Sequence, residues 1–102
     1  MATMILEHAL LDVRPGSEAE FEAAFERARP LIDVQPGFAS LRLERCVENG
    51  SRYLLLIEWE RLEDHTEGFR RSPEYQQWRT LLHHFYDPFP DVAHFEIVTA
   101  SP

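Results

Sequence analysis

The chain contains no lysine; all ten of its basic residues are arginine. Schiff-base and pyridoxal-phosphate chemistry, which need an internal ε-amine, are thereby excluded. Cysteine is limited to Cys46, so no intrachain disulfide can form and no C-x-x-C pair exists for zinc or redox work. Cys46 falls in a predicted strand with Arg42 and Glu44 at alternate positions and has no companion base, which makes it a small packing residue rather than a nucleophile. Glycine is equally scarce, with four residues, and no Gly-rich strand-to-helix loop, dinucleotide fingerprint or G-x-S-x-G motif is present. The longest apolar run, Tyr53-Leu54-Leu55-Leu56-Ile57, is far below the ~20 residues that cross a bilayer. The N-terminus also lacks a basic, then apolar, leader, so no membrane association and a cytoplasmic location are expected.

Positive charge is in short supply: 18 Asp+Glu face 10 Arg, for a net charge of -8. Such a field repels phosphate backbones, and no nucleic-acid partner is expected. The five histidines, His8, His65, His83, His84 and His94, form no H-x-H, H-x3-H or H-E-x-x-H pair. Adjacent His83 and His84 would point about 100° apart on a helix. No metal site is expected, and the His83-His84 pair reads as partly exposed imidazoles favoured as cations at a helix C-terminus.

What is present is enough for a folded core. With 102 residues, 12.0 kDa and 44% hydrophobic residues, a single domain spanning 1–102 is expected. Met4 to Val13 reads as a strand ended by Arg14-Pro15-Gly16. Ser17-Glu18-Ala19-Glu20 has the form of a capping box, and Phe21, Ala24, Phe25, Ala28 and Leu31 or Ile32 follow at helical spacing. Pro30 marks a kink or the last turn of that helix. A second strand, Ala39 to Val47, meets a third, Arg52 to Trp59, across Glu48-Asn49-Gly50-Ser51, where Asn-Gly can supply the positive φ angles of a tight hairpin. A short helical stretch, Leu62 to Phe69, precedes a helix started by Ser72-Pro73-Glu74 and stopped at Asp87-Pro88-Phe89-Pro90. Val92 to Thr99 is the last strand. The order βαββαβ is that of a ferredoxin-like α+β sandwich with a four-stranded antiparallel sheet.

The third strand is apolar on both faces, since Tyr53, Leu55, Ile57 and Trp59 alternate with Leu54 and Leu56. Two helices cover only one face of such a sheet, so the other is expected to pack on a second copy in a homodimer.

Of the twelve aromatic residues, most belong to a core. Tyr53 and Trp59 on one strand face, opposite Phe69, Tyr75 and Trp78 from the C-terminal helices, are expected to line a space suited to a planar aromatic ligand, with Tyr53 or Tyr86 as hydrogen-bond donors. His65 shares a helical face with Leu62 and Phe69, directed at the sheet. Two readings stay open for it: a structural histidine bonded to a backbone carbonyl, or a neutral general base facing the same pocket as Trp59.

Met4-Ile5, Pro15-Gly16, the Phe21/Phe25 helix, Pro36-Gly37-Phe38, the hairpin, Glu58-Trp59 and the Ser72-Pro73 helix start, in this order, resemble the antibiotic biosynthesis monooxygenase family. The resemblance covers nearly the whole chain. It implies a dimeric α/β barrel with a pocket between helices and sheet in each subunit. It also implies oxygenation of a phenol or quinol by O2 without metal or flavin; the alternative is a non-catalytic member that binds a small aromatic or scaffolds a partner. Many members carry a histidine where this chain has Phe69. Of the Asn, Trp and His that haem-degrading relatives combine, Trp59 alone has a match, because Ala9 and Phe69 lie near the other two positions. The resemblance therefore disfavours haem degradation. The stretch Leu82 to Pro90 lies outside the general family pattern.

Overall fold

A computed structural model of the chain describes residues 4–102. Its elements are β1 (Ile5–Asp12), α1 (Glu18–Asp33), β2 (Phe38–Arg45), β3 (Arg52–Trp59), a π-helical turn (Asp64–Phe69), α2 (Pro73–Leu82), a 3-10 turn (His83–Phe85) and β4 (Val92–Phe95). The strands form one antiparallel sheet in the order β2-β3-β1-β4, which is the expected α+β arrangement.

Alternation along the strands decides which side chains meet the helices. On β1, Glu7, Ala9 and Leu11 are buried, and on β3, Tyr53, Leu55, Ile57 and Trp59. Phe21, Ala24, Phe25, Ala28 and Ile32 of α1 and Trp78 and Leu82 of α2 close over them. The opposite face carries Leu54 and Leu56, both half-buried, with Leu10 43% and Phe95 50% exposed. No element among the described residues covers it.

Local chemistry departs from the sequence expectations at four places. Ser17 precedes α1 but makes no side-chain cap; Glu18, not Glu20, reaches back, accepting from the Gly16 N–H at 2.9 Å and from the Ser51 hydroxyl. Pro30 takes one of its two expected places, the last turn of α1, which continues to Asp33. Asn49 and Gly50 do not take positive φ. The β2–β3 loop is wider, closed by Cys46 N–H to Arg52 C=O and by an Asx turn in which Asn49 Oδ1 accepts from Ser51 N–H, and Cys46 lies just outside the strand. β4 ends at Phe95, short of the expected Thr99, and Ile97 and Val98 are exposed. Finally, the Leu62 to Phe69 stretch winds as a π-turn, with Arg70 N–H bonded to His65 C=O. Bonding of the i→i+5 type breaks the spacing expected of an α-helix. His65 and Phe69 turn inward, whereas Leu62 is exposed.

Gly37 and Ser72 fix that π-turn. Gly37 sits at φ +83° and a Cβ there would fall on the Asp64 side chain, so only glycine admits this approach. The Ser72 hydroxyl donates to Phe69 C=O at 2.6 Å and accepts from Tyr75 N–H at 3.2 Å, joining the end of the turn to the start of α2.

Candidate functional site

β1 places a carboxyl group inside the core. Glu7 is 6% exposed, between apolar neighbours on the helix-facing side of the sheet. Trp59, at the end of β3, donates its indole N–H to Glu7 Oε1 at 2.9 Å. The π-turn lays the His65 ring parallel to the Trp59 indole, with centroids 5.6 Å apart and planes at 16°, and His65 Nε2 comes within 3.3 Å of the same Glu7 oxygen. On the other edge of the imidazole, His65 Nδ1 is 2.7 Å from His94 Nε2. His94 is the direct partner of Glu7 in the β1–β4 register, so strand pairing puts both groups on one side of the sheet, beneath His65.

Burial sets the charge of these groups. It raises the Glu7 carboxyl to about 7, against the opposing effects of the Trp59 hydrogen bond and the Arg70 guanidinium. It lowers His65 to about 3, helped by the positive charge of Arg70 and by His94. His94 is lowered as well, by burial first and then Arg70. At neutral pH His65 is thus an uncharged imidazole, and Glu7 is poised between its acid and its carboxylate. These three donors lie in a row on opposite edges of His65 and do not converge; among the described residues no three such side chains are placed to hold a metal ion.

A cavity of about 430 Å³ opens onto this row. Glu7, His65 and Arg70 stand at one part of its lining, and Phe69, Tyr75, Trp78, Tyr86 and Phe89 supply rings. Its size falls in the range of small-molecule sites. The Leu82 to Pro90 segment closes its far side. That segment is clamped to the end of β1 by Arg14 N–H to Phe85 C=O, Asp87 N–H to Asp12 C=O and the Val13–Tyr86 bridge. His83 lines the cavity, in edge contact with the ring of Phe89, and burial followed by Arg79 lowers its pKa. The expectation of a cation favoured at a helix end therefore fails for His83. The Tyr86 hydroxyl is held protonated, burial pushing its pKa up.

Of the residues expected around one ligand space, His65, Phe69, Tyr75, Trp78 and Tyr86 come together here. Two do not. Trp59 is fully buried and touches His65 from behind, so it supports the site without lining the cavity. Tyr53 lies at the other end of β3, where its hydroxyl donates to Glu22 Oε2 at 2.6 Å and its ring borders a separate cleft between α1 and β2. Six residues along an extended strand separate the two rings by roughly 20 Å, too far to share a ligand. The second cleft is larger, about 750 Å³, but its polar rim is an exposed network. There the Tyr53 and Arg45 hydrogen bonds hold Glu22 below the usual carboxylate range. A group so held is a poor proton acceptor at neutral pH, and the smaller cavity is the candidate site.

Glu7 and His94 were not singled out by sequence reasoning. Glu7 interrupts the aliphatic run of β1, yet its two-residue spacing from Ala9 and Leu11 is a usable signal: an acid on the apolar parity of a strand. His94 had no such signal, since only the β1–β4 register brings it to Glu7.

Four likenesses bear on identity. The profile of the family described as "Antibiotic biosynthesis monooxygenase" matches residues 4–81. The uncharacterized protein YczJ of Bacillus subtilis is 54% identical over 95 residues, 93% of this chain and 100% of its own length. A Bordetella bronchiseptica protein whose crystal structure carries the same family name is 38% identical, with a TM-score of 0.90 over 95% of this chain and 99% of that one. SnoaB, a cofactor-independent oxygenase from Streptomyces nogalater, shares the fold at a TM-score of 0.85 and 21% identity, over 97% of each chain. With residues 4–81 matched by the family profile, the chain belongs to the antibiotic biosynthesis monooxygenase family.

Proposed function

We propose that the protein is a cofactor-independent monooxygenase that oxidises a small phenol or quinol in the cavity beside Glu7. The carrying observation is a carboxyl group with a pKa of about 7 lining an aromatic-walled cavity. A phenol must lose its proton before its ring becomes electron-rich enough to reduce O2. A base titrating near the working pH is best suited to take that proton. His65, lowered to about 3, is too weak to keep the proton itself, so it acts beside Glu7 and not as the terminal base. Glu7 Oε1 is engaged by Trp59, and the carboxyl stands in the cavity lining, where its other oxygen would meet a substrate hydroxyl. The Arg70 guanidinium, also in the lining, favours the phenolate that results. Phe69, Tyr75 and Trp78 hold the flat ring, and Tyr75 and Tyr86 offer hydroxyl donors for a second polar substituent.

The overall reaction balances without an external reductant. A phenol carrying an aromatic C–H gains one oxygen atom to become a quinone, and the second oxygen leaves as water with the two hydrogens lost by the substrate. All four electrons come from the substrate. The name of SnoaB supports this class of reaction for the fold. The uncovered sheet face with Leu54, Leu56, Leu10 and Phe95 supports a homodimer as the working form.

The test is oxygen uptake on a panel of hydroquinones and naphthols, with 18O2 to locate the incorporated atom. The expected result is uptake of one O2 per substrate, with one labelled oxygen in the quinone, and loss of 10² to 10⁴ in rate in Glu7→Gln. Saturable binding of the same compounds with no oxygen uptake would refute catalysis and make the protein a small-aromatic-binding member of its family.

A further inference from the structure

We propose that Glu7, His65 and His94 form a proton relay, with His94 as the positioning residue that connects the buried carboxyl of the cavity to solvent beyond β4. The inference rests on the proposed role of Glu7 as proton acceptor and goes on to ask where that proton goes.

The three groups stand in line. Glu7 Oε1 lies 3.3 Å from His65 Nε2, and His65 Nδ1 lies 2.7 Å from His94 Nε2. The second distance is a short hydrogen bond. The first is a contact that a small swing of the carboxyl would tighten, as catalytic hydrogen bonds do once a ligand is bound. Glu7 and His65 are buried, whereas His94 is half-exposed on the edge strand. The row therefore runs from the buried carboxyl to the half-exposed edge strand through His65.

A neutral imidazole carries one proton, so the row has two arrangements. With Glu7 as carboxylate, it accepts from His65 Nε2–H, and His65 Nδ1 accepts from His94 Nε2–H. With Glu7 protonated, its O–H donates to His65 Nε2, and His65 Nδ1–H donates to His94 Nε2. Passing from one to the other moves protons along every link. A proton taken from substrate by Glu7 goes to His65 Nε2 while the His65 Nδ1 proton goes to His94 Nε2. His94 then releases its Nδ1 proton to water. No electrons move, and the reverse passage returns a proton to the cavity. The low basicity of His65 fits a conductor that never holds a charge for long. The other titratable or charged groups facing this end of the cavity are Arg70 after the π-turn, Tyr75 of α2, His83 of the 3-10 turn, and Tyr86 and Asp91 of the following segment. None of their side chains bonds to the His65 or His94 ring among the described residues; Arg70 meets His65 only through its backbone N–H.

The test needs no substrate and so separates failure of the relay from failure of the monooxygenase reading. Long-range 1H–15N spectra of 15N-histidine protein report which nitrogen of each ring holds the proton. Between pH 6 and 8, around the Glu7 pKa of about 7, His65 and His94 should exchange tautomers together with one midpoint as pH rises, His65 from Nδ1–H to Nε2–H and His94 likewise. In Glu7→Gln both should keep a single tautomer across that range. A tautomer that does not change in the wild type, two different midpoints, or the same change in Glu7→Gln would overturn the relay. Where a hydroquinone is turned over, His94→Ala should lower kcat more than KM, and added imidazole should restore kcat by filling the exposed end of the row. Loss of kcat without rescue in a variant with unchanged melting temperature would also count against the relay.

Discussion

Replacing Glu7 with glutamine should raise stability at pH 8 while removing activity, and the size of the gain follows from the burial of this one group. The amide oxygen of glutamine still accepts from the Trp59 indole N–H, so the hydrogen bond at 2.9 Å has a substitute. What disappears is the cost of holding a carboxylate among apolar neighbours. The Glu7 pKa rises from 4.5 to about 7 on folding. Below 4.5 the acid is protonated in both states and costs nothing extra. Between 4.5 and 7 the unfolded chain releases its proton while the folded chain keeps it, so stability falls as pH rises, and above 7 the full cost is present. At about 1.4 kcal/mol per unit, that cost is roughly 3 kcal/mol.

His65 hides part of this in the wild type. Its pKa falls from 6.5 to about 3 on folding, so the unfolded chain takes up a proton that the folded chain refuses. Its contribution therefore rises with pH through 3 to 6.5, opposite in sign to that of Glu7. The two slopes oppose each other between 4.5 and 6.5, and the wild type should be nearly flat there. Glu7→Gln unmasks His65 and should gain stability steadily with pH over the same window. Urea unfolding of both proteins at fixed chain concentration, from pH 4 to 8.5, measures the difference through the midpoint at constant slope. The Gln-minus-Glu difference should grow by roughly 3 kcal/mol between pH 4 and pH 8. A difference independent of pH, or a variant less stable than wild type at pH 8, would refute the placement of Glu7 as a strained buried acid.

Three further outcomes are expected. Sedimentation at micromolar concentration should give about twice the 12.0 kDa chain mass, and Leu56→Asp should yield monomer or aggregate, because an unpaired carboxylate between two apolar sheet faces is costly; a wild-type monomer would end the dimer proposal. Tyr53→Phe removes the donor to Glu22 and should cost about 0.5–1.5 kcal/mol of stability, with turnover per folded molecule unchanged; a selective loss of activity would place Tyr53 back in the site. Ser72→Ala should cost about 1 kcal/mol through the lost N-cap of α2 and weaken ligand binding by loosening Phe69 and Tyr75; unchanged melting temperature and affinity would show that the cap does not hold the π-turn.

The sequence by itself determined the element order, the antiparallel sheet, the α1 face of Phe21, Phe25 and Ile32, and the unpartnered Leu54 and Leu56. These are periodic features, and a period of 2 or 3.6 is written along the chain. It also brought forward five of the residues around the cavity, since Phe69, Tyr75 and Trp78 repeat at helical spacing toward the sheet and His65 precedes Phe69 by one turn. Where the period changed, the reading failed. The π-turn leaves Leu62 outside the face assigned to it, and the Asx turn replaces the Asn-Gly hairpin because Ser51 binds Glu18 of α1, a contact that no local pattern contains. Tyr53 and Trp59 share a strand face, but parity says nothing of distance along the strand, and they serve opposite ends of the molecule. Only the tertiary structure decided that Glu7, His65 and His94 meet. Eighty-seven positions of sequence separate the first from the last, and their contact follows from pairing the first strand with the last and from a π-turn laid across both. Burial at that crossing, which no single segment possesses, then shifts the carboxyl and imidazole so that one is poised near 7 and the other stays neutral.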